Sequence, residues 1–223
     1  MMRRLAPLRR LLRHASGVAA VEFALTAPII LTMFLGGAEL TNFAITRMRV
    51  SQIALHVADN ASRIGANSLL TAPQISEMQI NDLFLGANLQ AGTLDLKTRG
   101  RVILSSFEAV ASPNPSRKFH IRWQRCYGDK PWLSQYGKAG DTQLSNIGPT
   151  GQKVTAPDDT AVMFVEVAYD YKPLIAGRFM GSTMIHDIAA MTVRDQRDYE
   201  GPDTKGIYNV ESVTPSSCIQ PTP

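Results

Sequence analysis

The stretch HASGVAAVEFALTAPIILTMFLGGAEL, residues 14–40, decides the fold of this chain because it contains one long apolar segment. Between Val18 and Ala38 the only charged residue is Glu22. A helix rises about 1.5 Å per residue, so about twenty residues cross a hydrocarbon core of about 30 Å. We therefore predict a transmembrane helix at residues 18–40. Glu22 needs an explanation, because an acid inside a membrane is costly and is a functional hypothesis by default.

The flanks of this segment predict its orientation. Basic side chains crowd the N-terminal side, whereas the other end meets Glu39. By the positive-inside bias, the N-terminus lies in the cytoplasm, and the chain beyond residue 40 lies outside it. The arginines of this flank account for the net charge of +4, so we expect no nucleic-acid partner. These arginines are Arg3, Arg4, Arg9, Arg10 and Arg13.

A secretory signal peptide is the alternative interpretation of the same segment. The arginines would form its basic region, and Gly36 and Ala38 are small residues suited to a cleavage site. Two features count against it. The apolar stretch exceeds the about 7–15 residues of an ordinary signal sequence, and Glu22 would be an unexplained charge within it.

The helix is predicted to continue beyond the membrane as an extracytoplasmic segment at residues 41–66. Neither glycine nor proline occurs between Gly37 and Gly65. Apolar residues recur at steps of three and four, which predicts a buried stripe along the helix. Pro28 lies mid-span, where Thr26 and Thr32 are candidates to compensate for its missing N–H. The stripe consists of Val50, Ile53, Val57, Ala61 and Ile64.

Residues 67–198 are predicted to form an α+β globular domain. A short helix is expected to start near an N-cap around Pro73 and to end at Gly86. Alternating or β-rich runs then predict strands at 100–110, 118–127, 160–174 and 182–197. An antiparallel sheet packed on the outer half of the long helix would cover both apolar surfaces, giving a pilin-like lollipop.

Three further features of this region carry predictions. In the second strand Phe119, Ile121, Trp123 and Arg125 alternate with polar residues, so we expect them to share one face. The insertion at 128–159 is a long loop rich in glycine and proline. It is either a contact surface or a loop that covers the sheet edge or stays mobile. The tail at 199–223 is expected to be held only at Cys218.

Cys126 and Cys218 lack any spacing suited to zinc or to a thioredoxin-like motif. If the domain lies outside the cytoplasm, an even pair predicts one disulfide that closes a long loop. The chain-entropy model gives such a bridge about 4–5 kcal/mol as an upper expectation. Two reduced, buried thiols are the alternative.

The residues around Glu22 resemble a known processing motif. Gly17 is followed by VAAVEF, with basic residues before it and an apolar helix after it, which resembles the prepilin-peptidase site of type IV pilin-like proteins. Pro28 and the second acid, Glu39, narrow the resemblance to the TadE-like family, the minor pseudopilins of tight-adherence pili. The stretch VEVAYDYKPL at 165–174 is similar to the tyrosine-rich strand followed by proline in that family.

The resemblance implies roles for individual residues. Residues 1–17 would be a basic leader that is cut off between Gly17 and Val18. Glu22, with Phe23 beside it, would be the assembly site. Glu22 would pair with the new terminal amine of a neighbouring subunit. An ammonium and a carboxylate are each unfavourable alone in lipid, and bringing them together neutralises both.

No motif for catalysis or for metal binding occurs in the sequence. His186 and Asp187 are adjacent, but neighbouring strand residues point to opposite faces, so we do not expect them to act as a catalytic pair. The expectation is therefore a protein without enzymatic activity, without a cofactor and without a metal site.

The function expected from these observations is that of a minor pseudopilin in the assembly of a tight-adherence type pilus. It would be processed by a prepilin peptidase and would assemble through its N-terminal helix. Its partners would be other pilin-like subunits, the pilus assembly machinery and the bacterial inner membrane, with the C-terminal domain in the periplasm. The alternative is an exported or membrane-anchored binding domain with an N-terminal signal sequence.

Overall fold

One long helix followed by a four-stranded antiparallel sheet dominates this chain. The computed structural model describes residues 15–65, 72–175, 183–194, 197–202 and 205–219, so most of the predicted leader lies outside the described residues. The α+β, pilin-like arrangement predicted from the sequence is confirmed. The helices are α1 (Ala15–Arg63), α2 (Glu77–Ala91) and α3 (Leu96–Arg99), with a 3-10 turn at Gly92–Leu94. The strands are β1 (Gly100–Ala109), β2 (Phe119–Tyr127), β3 (Ala161–Asp170) and β4 (Met184–Thr192).

The chain divides into two compact units. The first consists of Met1–Ala44 together with Pro173–Met180, and it contains the apolar part of α1. The second consists of Ile45–Lys172 together with Gly181–Pro223, and it contains the rest of α1 and the whole sheet.

Helix α1 is continuous and passes through Pro28. The hydroxyl of Thr26 donates to the carbonyl of Glu22 at 2.8 Å, and that of Thr32 donates to the carbonyl of Pro28 at 2.6 Å. Each threonine therefore bonds the carbonyl one turn before itself. Neither bond reaches the carbonyl of Ala24, which Pro28 leaves without its usual donor. The expected local compensation by these threonines is thus not what the structure shows.

The outer part of α1 buries the predicted apolar stripe within the second unit. Val50 and Ala54 are fully buried, and Ile53 and Val57 are 2% and 1% exposed. Burial of this stripe explains why a helix with polar residues on its other face is stable. At its C-terminal end, the Arg197 guanidinium donates to the last helical carbonyls, those of Ala61 at 3.1 Å and Ser62.

Helix α2 begins later and ends later than predicted. Ser76 is its N-cap: the Ser76 hydroxyl accepts from the N–H of Gln79, and the Gln79 side chain accepts from the N–H of Ser76. This capping box fixes the start. Gly86 lies inside the helix, because a glycine costs about 1 kcal/mol there but does not by itself end a helix. The end comes at Ala91, before Gly92, whose φ is 54°.

The sheet has the order β2-β1-β3-β4, and every neighbouring pair is antiparallel. Helix α2 lies against one of its faces. There the rings of Phe84 and Tyr127 stack with centroids 5.9 Å apart, and Arg125 forms an ion pair with Glu77. The two central strands are almost entirely buried. Strand β3 reads as a near-continuous apolar run, whereas β1 also buries polar side chains, those of Arg101, Ser105, Ser106 and Glu108.

The expectation that β2 presents one apolar face is wrong. The register shifts between Ser106 and Phe107, so that Ser106 pairs with Trp123 whereas Phe107 pairs with Ile121. A bulge inserts one extra residue, here Arg122, and reverses the alternation beyond it. Phe119 and Ile121 therefore lie on the face opposite that of Trp123 and Arg125.

The 128–159 loop covers the face of the sheet that carries Phe107 and Ile121. Ile147 and Ala156 of the loop are buried in one apolar cluster with the strand residues. The ring of Tyr136 meets that of Phe164 edge-on at 5.4 Å, as aromatic pairs prefer. The loop is thus the third layer of the domain. The strand residues of the cluster are Phe107, Phe119, Ile121, Val162 and Phe164.

The tail is held at many points, not only at Cys218 as expected. Tyr208 exchanges backbone hydrogen bonds with Ile75 and Glu77 on either side of Ser76, at 2.8 Å each. Asn81 donates to the carbonyl of Thr214 at 3.0 Å. These bonds supply partners for backbone groups that a detached tail would leave to water.

Candidate assembly site

The N-terminal part of α1 exposes its apolar side chains. One helix in the described part of the chain, beginning at Gly17, is long and apolar enough to cross a membrane, and none of its most apolar window is buried. Phe23, for example, is 72% exposed. Apolar surface of this extent marks contact with lipid or with another protein. The helix is consistent with a membrane anchor.

The candidate processing bond between Gly17 and Val18 lies in the first turn of α1, which begins at Ala15. Helix ends fray because their terminal N–H groups lack partners within the helix. A side chain at Gly17 would meet no other atom within 4 Å. The fold itself therefore does not require glycine at position 17. The same is true of Gly36 and Gly37 in the apolar span, so the open space around Gly17 does not distinguish it from them. It is the position of Gly17 ahead of Glu22 that makes it a candidate.

Glu22 and Phe23 lie on the exposed surface of the helix, one turn beyond Val18. Among the described residues the Glu22 carboxylate has no hydrogen-bond partner, whereas its backbone carbonyl accepts from Thr26. Cleavage after Gly17 would place Glu22 in the second turn of the shortened helix.

Glu39, at the other end of the apolar segment, is bound to a distant stretch of chain within the first unit. Its carboxylate oxygen Oε2 accepts hydrogen bonds from the backbone N–H groups of Leu174 at 2.9 Å and Ile175 at 3.0 Å. The residue is only 8% exposed. A carboxylate that accepts two N–H bonds loses little by leaving water. Glu39 therefore fixes the 173–175 segment to the helix.

A buried acid lies on the loop-covered face of the sheet. The Glu166 carboxylate accepts hydrogen bonds from the Ser134 hydroxyl and from the backbone N–H of Gln135, the latter at 2.9 Å. Burial raises the pKa of Glu166 above its ordinary range, and these two bonds oppose the rise. His186 Nε2 lies 4.0 Å from Glu166 Oε2, and burial lowers the pKa of His186. The Trp132 ring packs on the His186 ring at 5.6 Å.

The structure joins Cys126 and Cys218 in a disulfide, with their Cα atoms 4.8 Å apart. The backbone N–H of Cys126 also donates to the carbonyl of Ser216 at 2.8 Å. The tail is thus bonded to the edge strand β2 at Cys126, where it gives the strand a backbone partner.

The structure does not bring His186 and Asp187 together. His186 faces Glu166 and the loop, whereas the Asp187 carboxylate accepts from the N–H of Ile188 at 2.8 Å. Within the described ranges, no group of three or more histidine, cysteine or acidic side chains is placed to hold a metal ion.

The sequence reasoning named Glu39 only as a second acid and missed Glu166 altogether. Each carried a signal. Glu39 is the first charge after the apolar span, and Glu166 is an acid inside the apolar strand AVMFVEVAY. A charge in such a place is either paired or functional.

Comparison with known proteins matches the N-terminal segment of the chain. Residues 17–67 match the family model described as TadE-like protein, which confirms the predicted resemblance for this segment. The match begins at the candidate cleavage glycine and includes Glu22, Glu39 and the whole apolar part of α1. No curated protein and no solved structure matches the chain.

Proposed function

We propose that this chain, whose residues 17–67 match the TadE-like family, is a minor pseudopilin of a tight-adherence type pilus. The match supports a role related to these pili, in assembly with other pilus components. Under the proposal, a prepilin peptidase cuts between Gly17 and Val18 at the inner membrane. The protein is not an enzyme, and its domain after residue 40 lies in the periplasm.

The observation that carries the proposal is the position of Glu22 and the lack of a hydrogen-bond partner for its carboxylate among the described residues. The residue lies on an unburied apolar helix, one turn after the candidate cleavage bond, and its carboxylate has no hydrogen-bond partner among the described residues. A charge in lipid needs an opposite charge. The chain offers one of the right kind, because cleavage creates an amine at Val18. The amine of one subunit and the Glu22 carboxylate of the next would satisfy each other.

Assembly in cells tests this proposal. The chromosomal copy is replaced by Glu22→Ala or by Glu22→Gln, and surface pili, membrane insertion and leader removal are measured. We expect insertion and cleavage to persist while piliation falls, in Glu22→Gln as well, because a neutral amide cannot neutralise an ammonium.

Thr26→Ala is the matched control, since Thr26 lies one turn further along the same helix and also has a polar side chain. It should assemble normally. Normal piliation in both Glu22 variants would contradict the assembly role. A mature chain that begins at Glu39 would instead identify an exported domain released from a signal peptide.

A further inference from the structure

The 173–175 segment has an unusual property for a piece of irregular backbone: it has no free N–H group. Pro173 has no N–H at all, and the N–H groups of Leu174 and Ile175 both donate to Glu39. Irregular backbone normally avoids lipid because unpaired N–H groups are costly there. This segment carries no such penalty from its donors.

The segment is attached at the level where the span should leave the hydrocarbon. Twenty-one residue steps separate Val18 from Glu39, which is about 32 Å along a helix, against a hydrocarbon core of about 30 Å. Glu39 therefore falls at the boundary between lipid tails and headgroups. The 173–175 segment, held by Glu39, lies at the same level of the helix.

The side chains of the segment suit that boundary. Leu174 is 64% exposed and Ile175 is 47% exposed, and Leu40 on the neighbouring helix is 69% exposed. Large apolar side chains gathered beside an apolar span continue its surface.

We propose that residues 173–175 form a second membrane-contacting element, whose Leu174 and Ile175 side chains enter the lipid boundary next to the end of the helix. The partner is the bilayer itself, because the exposed apolar surface is continuous with the span. Glu39 is the positioning residue. It presents these side chains and pairs the N–H groups that would otherwise meet lipid. The inference rests on the membrane insertion of α1 in the proposed function.

Fluorescence from single labels tests the proposal with the full chain in lipid nanodiscs, at one copy per disc. In the variant Leu174→Cys the new thiol carries a polarity-sensitive dye, and the native cysteines do not compete because they are joined in the disulfide. A second sample, Leu31→Cys, carries the dye in the middle of the span. Quenching by lipids that bear nitroxide groups reports contact with the bilayer.

We expect blue-shifted, quenched emission at both positions, with shallow nitroxides quenching position 174 more strongly than deep ones and the reverse at position 31. Quenching at 31 without quenching at 174 would overturn the lipid contact and leave the inserted helix intact. Absence of quenching at both would refute insertion, and with it the proposed function. Shielding of 174 that appears only with several copies per disc would assign the surface to another subunit.

The role of Glu39 is tested in the same samples. Glu39→Ala should abolish quenching at 174 and leave position 31 unchanged, because the segment loses its attachment. Thr41→Ala, which removes only a bond to the carbonyl of Gly37 at the same level of the helix, should leave both unchanged. Quenching at 174 that persists in Glu39→Ala would remove Glu39 from the account.

Discussion

The carboxylate of Glu39 accepts a hydrogen bond from the backbone N–H of Leu174 at 2.9 Å, although the two lie 135 positions apart in sequence. Glu39 belongs to the N-terminal stretch that resembles pilin-like proteins, and Leu174 ends the tyrosine-rich stretch that resembles the same family. The hydrogen bond joins Glu39 to the last residue of that stretch, and both residues lie in the first unit. It also gives a buried acid at the end of an apolar span a structural reason.

Glu39→Ala should expose the amides of Leu174 and Ile175 to exchange. Hydrogen bonds to a charged group contribute about 1.5–3 kcal/mol, and each 1.4 kcal/mol is a factor of about ten in an equilibrium. We therefore expect exchange at these two amides to accelerate about tenfold or more in hydrogen–deuterium exchange. Thr41→Ala should leave them protected. Equal protection in Glu39→Ala would mean that other contacts hold the segment.

Glu166→Gln should stabilise the chain at neutral pH. Burial raises the pKa of Glu166, so the folded state holds this proton more tightly than the unfolded chain does. The stabilisation of the folded state by Glu166 is fully present below the ordinary pKa of about 4.5, and it is lost as the pH rises through the raised pKa. A neutral amide avoids that loss. Urea denaturation at pH 8 should show a higher midpoint than for the unchanged chain.

The control for this variant is Glu211→Gln, which neutralises an exposed acid and should leave the midpoint unchanged. A lower midpoint for Glu166→Gln at pH 8 would show that the bonds from Ser134 and Gln135 outweigh the cost of burying the charge.

His186 should make the chain less stable in mild acid. Burial lowers the pKa of His186, so the unfolded chain binds this proton more readily. The stabilisation of the folded state by neutral His186 is fully present above the ordinary pKa of about 6.5, and it is lost as the pH falls through the lowered pKa. His186→Phe keeps a ring against Trp132 and removes the titration. Between pH 7.5 and 5.5, its denaturation midpoint should vary less than that of the unchanged chain. An identical pH dependence in the two chains would show that the loss of stability in mild acid does not come from His186.

Reduction of the disulfide should weaken the domain strongly. Its ends are 92 residues apart, and the chain-entropy model assigns such a loop about 4–5 kcal/mol. Denaturation with and without reductant measures the difference, and the paired Cys126→Ala and Cys218→Ala substitutions should match the reduced sample. Ser216→Ala removes only the hydroxyl bond to Asn81 and should cost about 1 kcal/mol. Unchanged stability on reduction would mean that the other tail contacts suffice.

Sequence patterns predict the long elements of this fold well. The long apolar helix follows from the length of its nearly uncharged run. The stripe that begins at Val50 and the positions of all four strands follow from periodicity and from turn residues. The bulge at Arg122 does not, because the alternation of β2 continues in sequence while its register shifts in space. The end of α2 was misplaced because Gly86 looks like a stop, whereas the cap that forms is at Gly92.

The residues of the candidate site also fall into those that the sequence predicts and those that it does not. The motif around Gly17 and Glu22 is local, so the sequence predicts it. The partners of Glu39 and Glu166 come from distant segments, and periodicity carries no information about which backbone N–H or side chain will meet a given acid. A charge within an apolar run signals that a partner exists, but only the fold identifies it.

The first residue of the mature chain tests the central claim most directly. Mass spectrometry of the protein purified from bacterial membranes measures the intact mass, and N-terminal sequencing reads the first residues. The account predicts a chain that begins at Val18, with Glu22 as its fifth residue. A chain that retains Met1, or one that begins at Glu39, would contradict it.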